Sequence, residues 1–201
     1  MKPFKNYEST QTFSSRPTLP AGGYVCKIMN AEEKVYKSSK GKNDTFSKLE
    51  ISFDIIEGEY SGFFASDYRS QQNEDKKWKG VLRMSVPSDD GSEMDEKIKS
   101  MFKTNITAIE ESNSGYHWDW NEKALKGLVV GCLFQSQEWE WEGKSGWKSQ
   151  PYGFIDAEKI RSGDFKVPKP KPLKNGGSSA PAQASSAMSD FTEVSDSDLP
   201  F

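Results

Sequence analysis

The hydrophobic pattern is clearest between Lys48 and Ile55, where apolar and polar residues alternate. Leu49, Ile51, Phe53 and Ile55 alternate with Lys48, Glu50, Ser52 and Asp54. This period of two residues is typical of a strand with one buried face and one wet face. Four other apolar runs predict strands at residues 24–30, with a continuation to 36 left open, and at residues 60–69, 128–141 and 147–155.

A helical pattern interrupts these strands at residues 88–103. Ser88 or Ser92 would cap the helix, acidic residues come early and lysines late, and this order suits the helix dipole. Met94, Ile98, Met101 and Phe102 would form its apolar stripe. Residues 81–84 are either a short strand or the start of a helix. A glycine-rich turn at residues 143–146 would join the last two strands, and residues 157–160 would add one more helical turn.

The order of elements is therefore three strands, a helix and a two-stranded hairpin. The OB-fold, a five-stranded and partly open barrel, has this order. We predict an all-β fold with one helix: a five-stranded OB-fold barrel, with the helix between strands 3 and 4, and a disordered C-terminal tail. Small β-sandwiches show similar strings of elements, and a fold does not by itself fix a function.

Composition divides the chain into four parts. Residues 1–20 are polar and predict an extended N-terminal arm, and residues 21–167 would form the barrel. Residues 168–189 are rich in Pro, Lys, Gly, Ser and Ala, so we expect a disordered linker. Residues 190–201 form an acidic tip.

The net charge of −3 conceals an uneven distribution of charge over the 201 residues. All 27 Lys and Arg precede Asn175, whereas the four acids Asp190, Glu193, Asp196 and Asp198 follow it. The body is thus about neutral and the tip is acidic. Affinity for nucleic acid would have to come from local lysine clusters and from rings, which include six Trp.

Little in the chain favours catalysis. His117 is the single histidine, there is no Cys-x-x-Cys, and no glycine-rich loop has the residues of a phosphate cradle. We expect no enzyme activity, no metal and no cofactor. Glu138, Glu140 and Glu142 alternate along one strand and are better interpreted as its solvated side than as an acid–base pair. Cys26 and Cys132 are expected to be reduced core residues, without a disulfide. No apolar run could span a bilayer, so we expect a cytoplasmic protein that does not contact a membrane.

Aromatic and basic residues occur together in three places. Binding of single-stranded nucleic acid needs cations for phosphates and rings for bases, and each stacked base contributes about 1–3 kcal/mol. The predicted DNA-binding residues are Lys37, Lys40 and Lys42 in a loop; Phe64, Tyr68, Arg69, Lys76, Lys77, Trp78 and Lys79 at and after the third strand; and Trp139, Trp141, Lys144, Trp147 and Lys148 in the hairpin.

Each of these clusters also has a purely structural interpretation. Trp139 and Trp141 point to the same side of their strand and could fill the core, and the lysine loop could be a solvated turn. Neighbouring residues on a strand point to opposite faces, so at most one of Phe63 and Phe64 would face a ligand. Trp118 and Trp120 lie in a segment that the pattern does not place.

The acidic tip ends in residues that folding does not explain. Asp196, Asp198, Leu199, Pro200 and Phe201 would bind a partner protein: the ring fills an apolar pocket, and a basic residue at the rim takes the terminal carboxylate. The aspartates would steer the tip toward a basic patch and so raise the association rate.

The tip resembles that of bacterial and phage single-stranded DNA-binding proteins, which end in several aspartates, a small apolar residue, Pro and Phe. The body is similar to versions from phages of Gram-positive bacteria, through Leu-Pro-Ala-Gly-Gly-Tyr at residues 19–24 and Phe-Asp-Ile-x-Glu-Gly-Glu-Tyr at residues 53–60. The resemblance implies a phage-encoded protein of the bacterial cytoplasm. It would coat single-stranded DNA during replication, recombination and repair, and recruit a helicase, primase, polymerase or nuclease through the tip.

Family members often form homo-oligomers. Here the tip has only two close aspartates, the linker is short and the body is long, so the oligomeric state does not transfer from the resemblance. An alternative remains open, in which the barrel is a protein-interaction adaptor that binds no DNA. The near-neutral body is consistent with this alternative.

Overall fold

The computed structural model describes residues 18–37, 45–72 and 74–173, together with residues 5 and 7. Lys40, Lys42, the linker after residue 173 and the tip residues Asp196, Asp198, Leu199, Pro200 and Phe201 lie outside the described residues. The strands are β1 (Gly22–Lys37), β2 (Thr45–Ile55), β3 (Val81–Ser85), β4 (Val129–Trp141) and β5 (Lys144–Ile155). The helices are α1 (Phe63–Ser70), α2 (Glu93–Ser112) and α3 (Ala157–Ser162), and a 3-10 turn at Glu122–Leu125 precedes β4.

The five strands form one open antiparallel sheet in the order β3-β2-β1-β4-β5. The prediction of a mostly β chain is confirmed, as is the helix between the third and fourth strands. β3 and β5 are the two edges of the sheet. They approach each other without forming a ladder among the described residues. The space between these edges is therefore the place where the sheet stays open.

The predicted strand at residues 60–69 is wrong, because this segment contains α1. Gly62 has a φ of +72° and turns the chain into the helix. Asp54, at the end of β2, accepts hydrogen bonds from the backbone N–H of Phe64 at 2.9 Å and of Ala65 at 3.2 Å. An acceptor from a neighbouring strand thus satisfies the first turn of the helix. The third strand is Val81–Ser85, one of the two alternatives for that segment.

The core face of β2 agrees with the alternation, since Leu49, Ile51, Phe53 and Ile55 are all buried. The opposite face is drier than predicted. Glu50 and Asp54 are buried as well, because each carboxylate is used: Asp54 caps α1, and Glu50 binds residues of the adjacent strands. The strict division into a dry face and a wet face is therefore wrong for these two positions.

Helix α2 begins where one of its two predicted caps lies and ends nine residues later than predicted. Ser92 Oγ accepts a hydrogen bond from the Asp95 backbone N–H at 3.1 Å. The predicted apolar stripe is wrong in part, since Met94 and Met101 are exposed. Ile106 and Ile109, beyond the predicted end, are buried in the core. The second half of the helix is thus the half that packs on the sheet.

Rings and aliphatic side chains from every strand fill the core. Phe53 and Phe134 are among its largest fully buried residues, and each makes edge contacts with other rings. Cys26 and Cys132 are buried and free, as predicted. Among the described residues, no helix is long and apolar enough to cross a membrane.

The β4–β5 hairpin turns one position earlier than predicted, at Glu142 and Gly143, which both have positive φ. β5 consequently begins at Lys144. β1 pairs with β4 only as far as Phe134, which lies opposite Gly22. Past that point, the segment at residues 168–173 lies alongside the same edge of β4. The Lys171 backbone N–H donates to Ser136 O at 2.8 Å, and the Glu138 N–H donates to Lys171 O at 3.0 Å. The prediction of disorder from residue 168 is therefore wrong for residues 168–173.

Candidate nucleic-acid interface

A cleft of about 870 Å³ lies between β3 and β5, at the open edges of the sheet. Its basic residues come from both sides, and they are Lys77, Lys79, Arg83 and Lys148. Its aromatic lining includes Trp78, Tyr152, Phe63, Phe64 and Phe134. Residues of the second and third predicted clusters thus meet across one cleft, although they are about seventy positions apart in the sequence.

The segment before β3 holds Trp78 at the wall of this cleft. The Trp78 indole N–H donates to Phe53 O at 3.0 Å, and the ring is half-buried. Its centroid lies 5.8 Å from that of Tyr68, which is partly exposed on α1. Lys76 Nζ lies 5.8 Å from the centroid of the Tyr68 ring. The interpretation of Trp78 as exposed therefore holds for only part of the ring.

Contacts with α1 and with Gln71, directly after it, hold Lys77 and Lys79 in place. Gln71 donates to Lys77 O at 2.8 Å and accepts from the Lys77 N–H at 2.8 Å. Lys79 forms an ion pair with Asp67 at 3.0 Å. Because that carboxylate offsets one lysine, Lys77 and Lys148 carry more of the positive charge that a phosphate would meet. Arg69, also predicted in this cluster, is exposed, and its Nε donates to Ala65 O at 3.2 Å.

Phe64 is wrong as a base-stacking residue. Its side chain is only 5% exposed, since its ring lies parallel to Phe134 and edge-on to Phe53. The sequence placed Phe64 on a strand, where every second residue reaches solvent. On a short helix capped by Asp54, the same residue points into the core. Phe64 therefore forms part of the buried base of the cleft and offers no free ring face for a nucleotide base.

The third predicted cluster is divided between two faces of the hairpin. Glu138 lies opposite Trp147 and Trp139 lies opposite Gly146 in the β4–β5 register. Residues directly opposite each other share a face. Trp139, Trp141, Lys144 and Lys148 therefore point to one side, whereas Trp147 points to the other. Including Trp147 in the same binding surface is wrong.

The two tryptophans of β4 differ in exposure. Trp141 is 70% exposed, opposite Lys144. Trp139 is half-buried and packs against Gly146, where a Cβ atom would lie 3.2 Å from the indole. Neither is a fully buried core residue, so the interpretation of both as barrel core is not supported.

The three glutamates of the hairpin do not share one environment. Glu140 and Glu142 are exposed, as a solvated face would have them. Glu138 is 3% exposed, and its Oε2 accepts a hydrogen bond from the Leu173 backbone N–H at 3.0 Å. The segment at residues 168–173 thus covers the end of the row that the sequence predicted to be wet.

A second aromatic and basic surface lies on the face of β1, β2 and β3 that points away from the core, and we call it the outer face. The rings of Tyr36 and Phe46 stack across β1 and β2, with centroids 5.5 Å apart and planes inclined by 17°. Lys48 Nζ lies 5.8 Å from the Tyr36 centroid and 5.5 Å from that of Phe46. Phe46 is 44% exposed, so its ring is accessible.

Sequence reasoning missed this outer face. Lys37, from the predicted lysine loop, is exposed at the end of β1, but it lies opposite Thr45 and next to Tyr36, so it points to the other side of the sheet. Tyr36 and Phe46 are separated by the loop that was singled out for its lysines. Only the β1–β2 register, which pairs them directly, shows that they form one platform. An aromatic residue at each end of that loop was the available signal.

Buried Glu50 organises the basic side chains of the outer face. Its carboxylate accepts from Tyr36 Oη at 2.5 Å and Arg83 Nε at 2.6 Å, and pairs with Lys34 Nζ at 3.0 Å. Burial by itself would raise the pKa of Glu50, but the hydrogen bonds from Tyr36, Lys34 and Arg83 outweigh burial and lower the pKa to about 2. Glu50 is ionised at neutral pH and fixes both cations beside the stacked rings.

The cleft and the outer face meet at Arg83, which belongs to both. Together they offer rings for stacking and fixed cations for phosphates. In the part of the chain that the structure describes, no cluster of three or more His, Cys, Asp or Glu side chains could hold a metal ion. No protein-family model matches the chain, and no curated protein matches it significantly.

Proposed function

We propose that this protein binds single-stranded DNA without strong sequence preference, along a path formed by the β3–β5 cleft and the outer face. The observation that carries the proposal is the cleft itself, where Lys77 and Trp78 face Lys148 across the open edges of the sheet. In this proposal the sheet is that of an OB-fold barrel, and the cleft is the seam between β3 and β5. Strands 2 and 3 and the loops beside them form the usual ligand surface of that fold.

The energetics of such a site rest on a few groups. Stacking of bases on rings contributes about 1–3 kcal/mol per base, and Tyr36, Phe46 and Trp141 are exposed enough to offer a face. Each phosphate contact adds a salt-dependent term. Four cleft cations would give a slope of log K against log salt of about −3 at most for a single strand, which the ion pair between Lys79 and Asp67 would reduce.

We further assign to the acidic tip the recruitment of replication, recombination and repair proteins. The support is the sequence of the tip and its resemblance to the family described above. The last described residue before the linker, Leu173, is held at β4. The tip would then be tethered to a domain that sits on DNA, which raises its local concentration near enzymes acting on the same strand.

The decisive experiment is a titration of the full chain with oligo(dT) at several salt concentrations, in which binding is measured by the change in tryptophan fluorescence. The double variant Lys77→Glu/Lys148→Glu reverses one charge on each side of the cleft and should lower the affinity at least tenfold at 0.1 M salt, with a shallower salt slope. Lys123→Glu/Lys126→Glu changes the same net charge at exposed positions outside the cleft, and should reduce affinity much less.

Equal losses in both variants would indicate a general effect of charge and would remove the cleft from the proposal. No binding by the unaltered chain to a long oligo(dT) at low salt would refute DNA binding altogether and leave the protein-interaction adaptor as the better hypothesis.

A further inference from the structure

A second groove, of about 420 Å³, lies along α2, and none of its lining residues lines the cleft. Phe102 and Ile106 of α2 form one wall. Trp118 and Trp120, from the segment after the helix, form the other wall. The two indole rings have centroids 6.1 Å apart and are inclined by 57°. The groove is therefore mainly aromatic and aliphatic.

Trp120 is held outward at some conformational cost. It is 79% exposed, and its φ of +66° lies in the left-handed region that residues other than Gly rarely adopt. The preceding residues are fixed through Glu110, whose Oε1 accepts from the Trp118 backbone N–H at 2.8 Å and lies 2.7 Å from His117 Nδ1. Strain of this kind is concentrated at functional sites, and folding does not require an exposed indole here.

The charged side chains in the lining of the groove are Lys99, Lys103, Glu110 and His117, and further carboxylates lie beside it. Lys99, at one end of the groove, contacts three carboxylates: Asp89 at 2.6 Å, Glu96 at 2.8 Å and Asp95 at 3.1 Å. The three negative charges of these carboxylates therefore exceed the single positive charge of Lys99. Glu110, which lies 2.7 Å from His117, is a fourth carboxylate, and Lys103 is the other lysine of the lining. The groove and its surroundings thus hold four carboxylates and two lysines. A phosphate backbone, or the acidic tip of this chain, would meet net repulsion at this site.

We propose that the groove along α2 docks a cationic segment of a partner protein, with an Arg or Lys side chain over the Trp118–Trp120 pair and an apolar neighbour against Phe102. Aromatic faces attract cations through their quadrupoles, and Trp does so best. The carboxylates around Lys99 and at Glu110 favour the same sign of charge. Because the groove and the cleft share no lining residue, a partner bound here leaves the cleft accessible.

The test uses the full chain and two synthetic pentapeptides, acetyl-Pro-Leu-Arg-Leu-Arg-amide and its counterpart with Glu in place of Arg. Binding is followed through the indole N–H signals in two-dimensional NMR spectra. We expect the Arg peptide to shift the signals of Trp118 and Trp120, and the Glu peptide to shift neither. Trp120→Ala should weaken the Arg peptide at least fivefold, whereas Trp141→Ala, which removes an exposed indole elsewhere, should leave it unchanged.

Oligo(dT) affinity should be the same in the Trp120→Ala variant and the unaltered chain, which separates this proposal from the one on the cleft. Equal binding of both peptides, preference for the Glu peptide, no shifts at millimolar Arg peptide, or loss of oligo(dT) affinity in Trp120→Ala would each overturn it.

Discussion

At the scale of single residues, the direction of a side chain decided which aromatic residues could serve the proposed function. Phe64 and Trp147 were placed with ligand-binding rings on the basis of neighbours in sequence. Phe64 points into the core from α1, and Trp147 shares the Glu138 side of the hairpin. Trp141, by contrast, reaches solvent beside Lys144.

The two tryptophans of the hairpin should therefore respond oppositely to truncation. Trp141→Ala should change the free energy of unfolding by less than about 0.5 kcal/mol, as is usual at the surface, and should weaken oligo(dT) binding by the 1–3 kcal/mol typical of a lost stack. Trp147→Ala should cost about 2 kcal/mol of stability, because a half-buried indole is removed, and should leave DNA affinity nearly unchanged.

Urea denaturation and fluorescence titration of the two variants measure these quantities. A large loss of affinity in Trp147→Ala, without loss of stability, would contradict the division of the hairpin into two faces.

At the scale of secondary structure, strands with a clear apolar pattern could be predicted, whereas features that depend on contacts between distant segments could not. β2 was predicted from its alternation, and β1, β4 and β5 from apolar runs, both of which depend only on local sequence. The third strand was misplaced because α1 is helical for a non-local reason: Asp54 of β2 supplies the acceptor for its first turn. Likewise, the platform of Tyr36 and Phe46 depends on a register that no single segment contains.

The network around Glu50 ties β1, β2 and β3 together and makes a prediction about pH. The pKa of Glu50 is about 2 in the folded protein and about 4.3 in an unfolded chain. A lowered pKa stabilises the fold above the unfolded value, and this contribution is lost as the pH falls toward 2. Glu50→Gln should therefore lower the free energy of unfolding by about 2 kcal/mol at pH 6 and by much less at pH 2.5.

Chemical denaturation of both proteins at the two pH values checks this expectation. A difference that stays constant with pH would show that the carboxylate charge is not what stabilises the three strands.

At the scale of the whole molecule, the structure separates the cleft, with four basic residues in its lining, from the groove along α2, with four carboxylates in and beside it. Charge totals over the sequence could not reveal this, because a near-neutral body averages the two. The boundary of the folded part was also misplaced by composition. Prolines and lysines at residues 168–173 are typical of a linker, yet Lys171 pairs with β4 and the Leu173 N–H binds buried Glu138.

Two truncations distinguish the folded end of the chain from the tail. Ending the chain after Leu173 should preserve stability and oligo(dT) affinity but abolish binding of a helicase, primase, polymerase or nuclease, since the tip is gone. Ending it after Val167 should in addition cost about 1–3 kcal/mol, because buried Glu138 loses hydrogen bonds.

Thermal denaturation, oligo(dT) titration and pull-down with purified replication enzymes give the three readouts. Equal stability of the two truncated chains would show that residues 168–173 are not part of the fold, and enzyme binding without the tip would remove its proposed role.

The pairing of Lys171 beside Gln137 has a mechanical consequence. The segment runs parallel to β4, so the chain leaves the domain in the direction of the hairpin turn. A partner that pulls on the tail toward that end stretches all of these hydrogen bonds together, in shear. A pull in the opposite direction breaks them one at a time, starting at Leu173, in an unzipping geometry. The attachment should thus resist force in one direction and yield to force in the opposite direction.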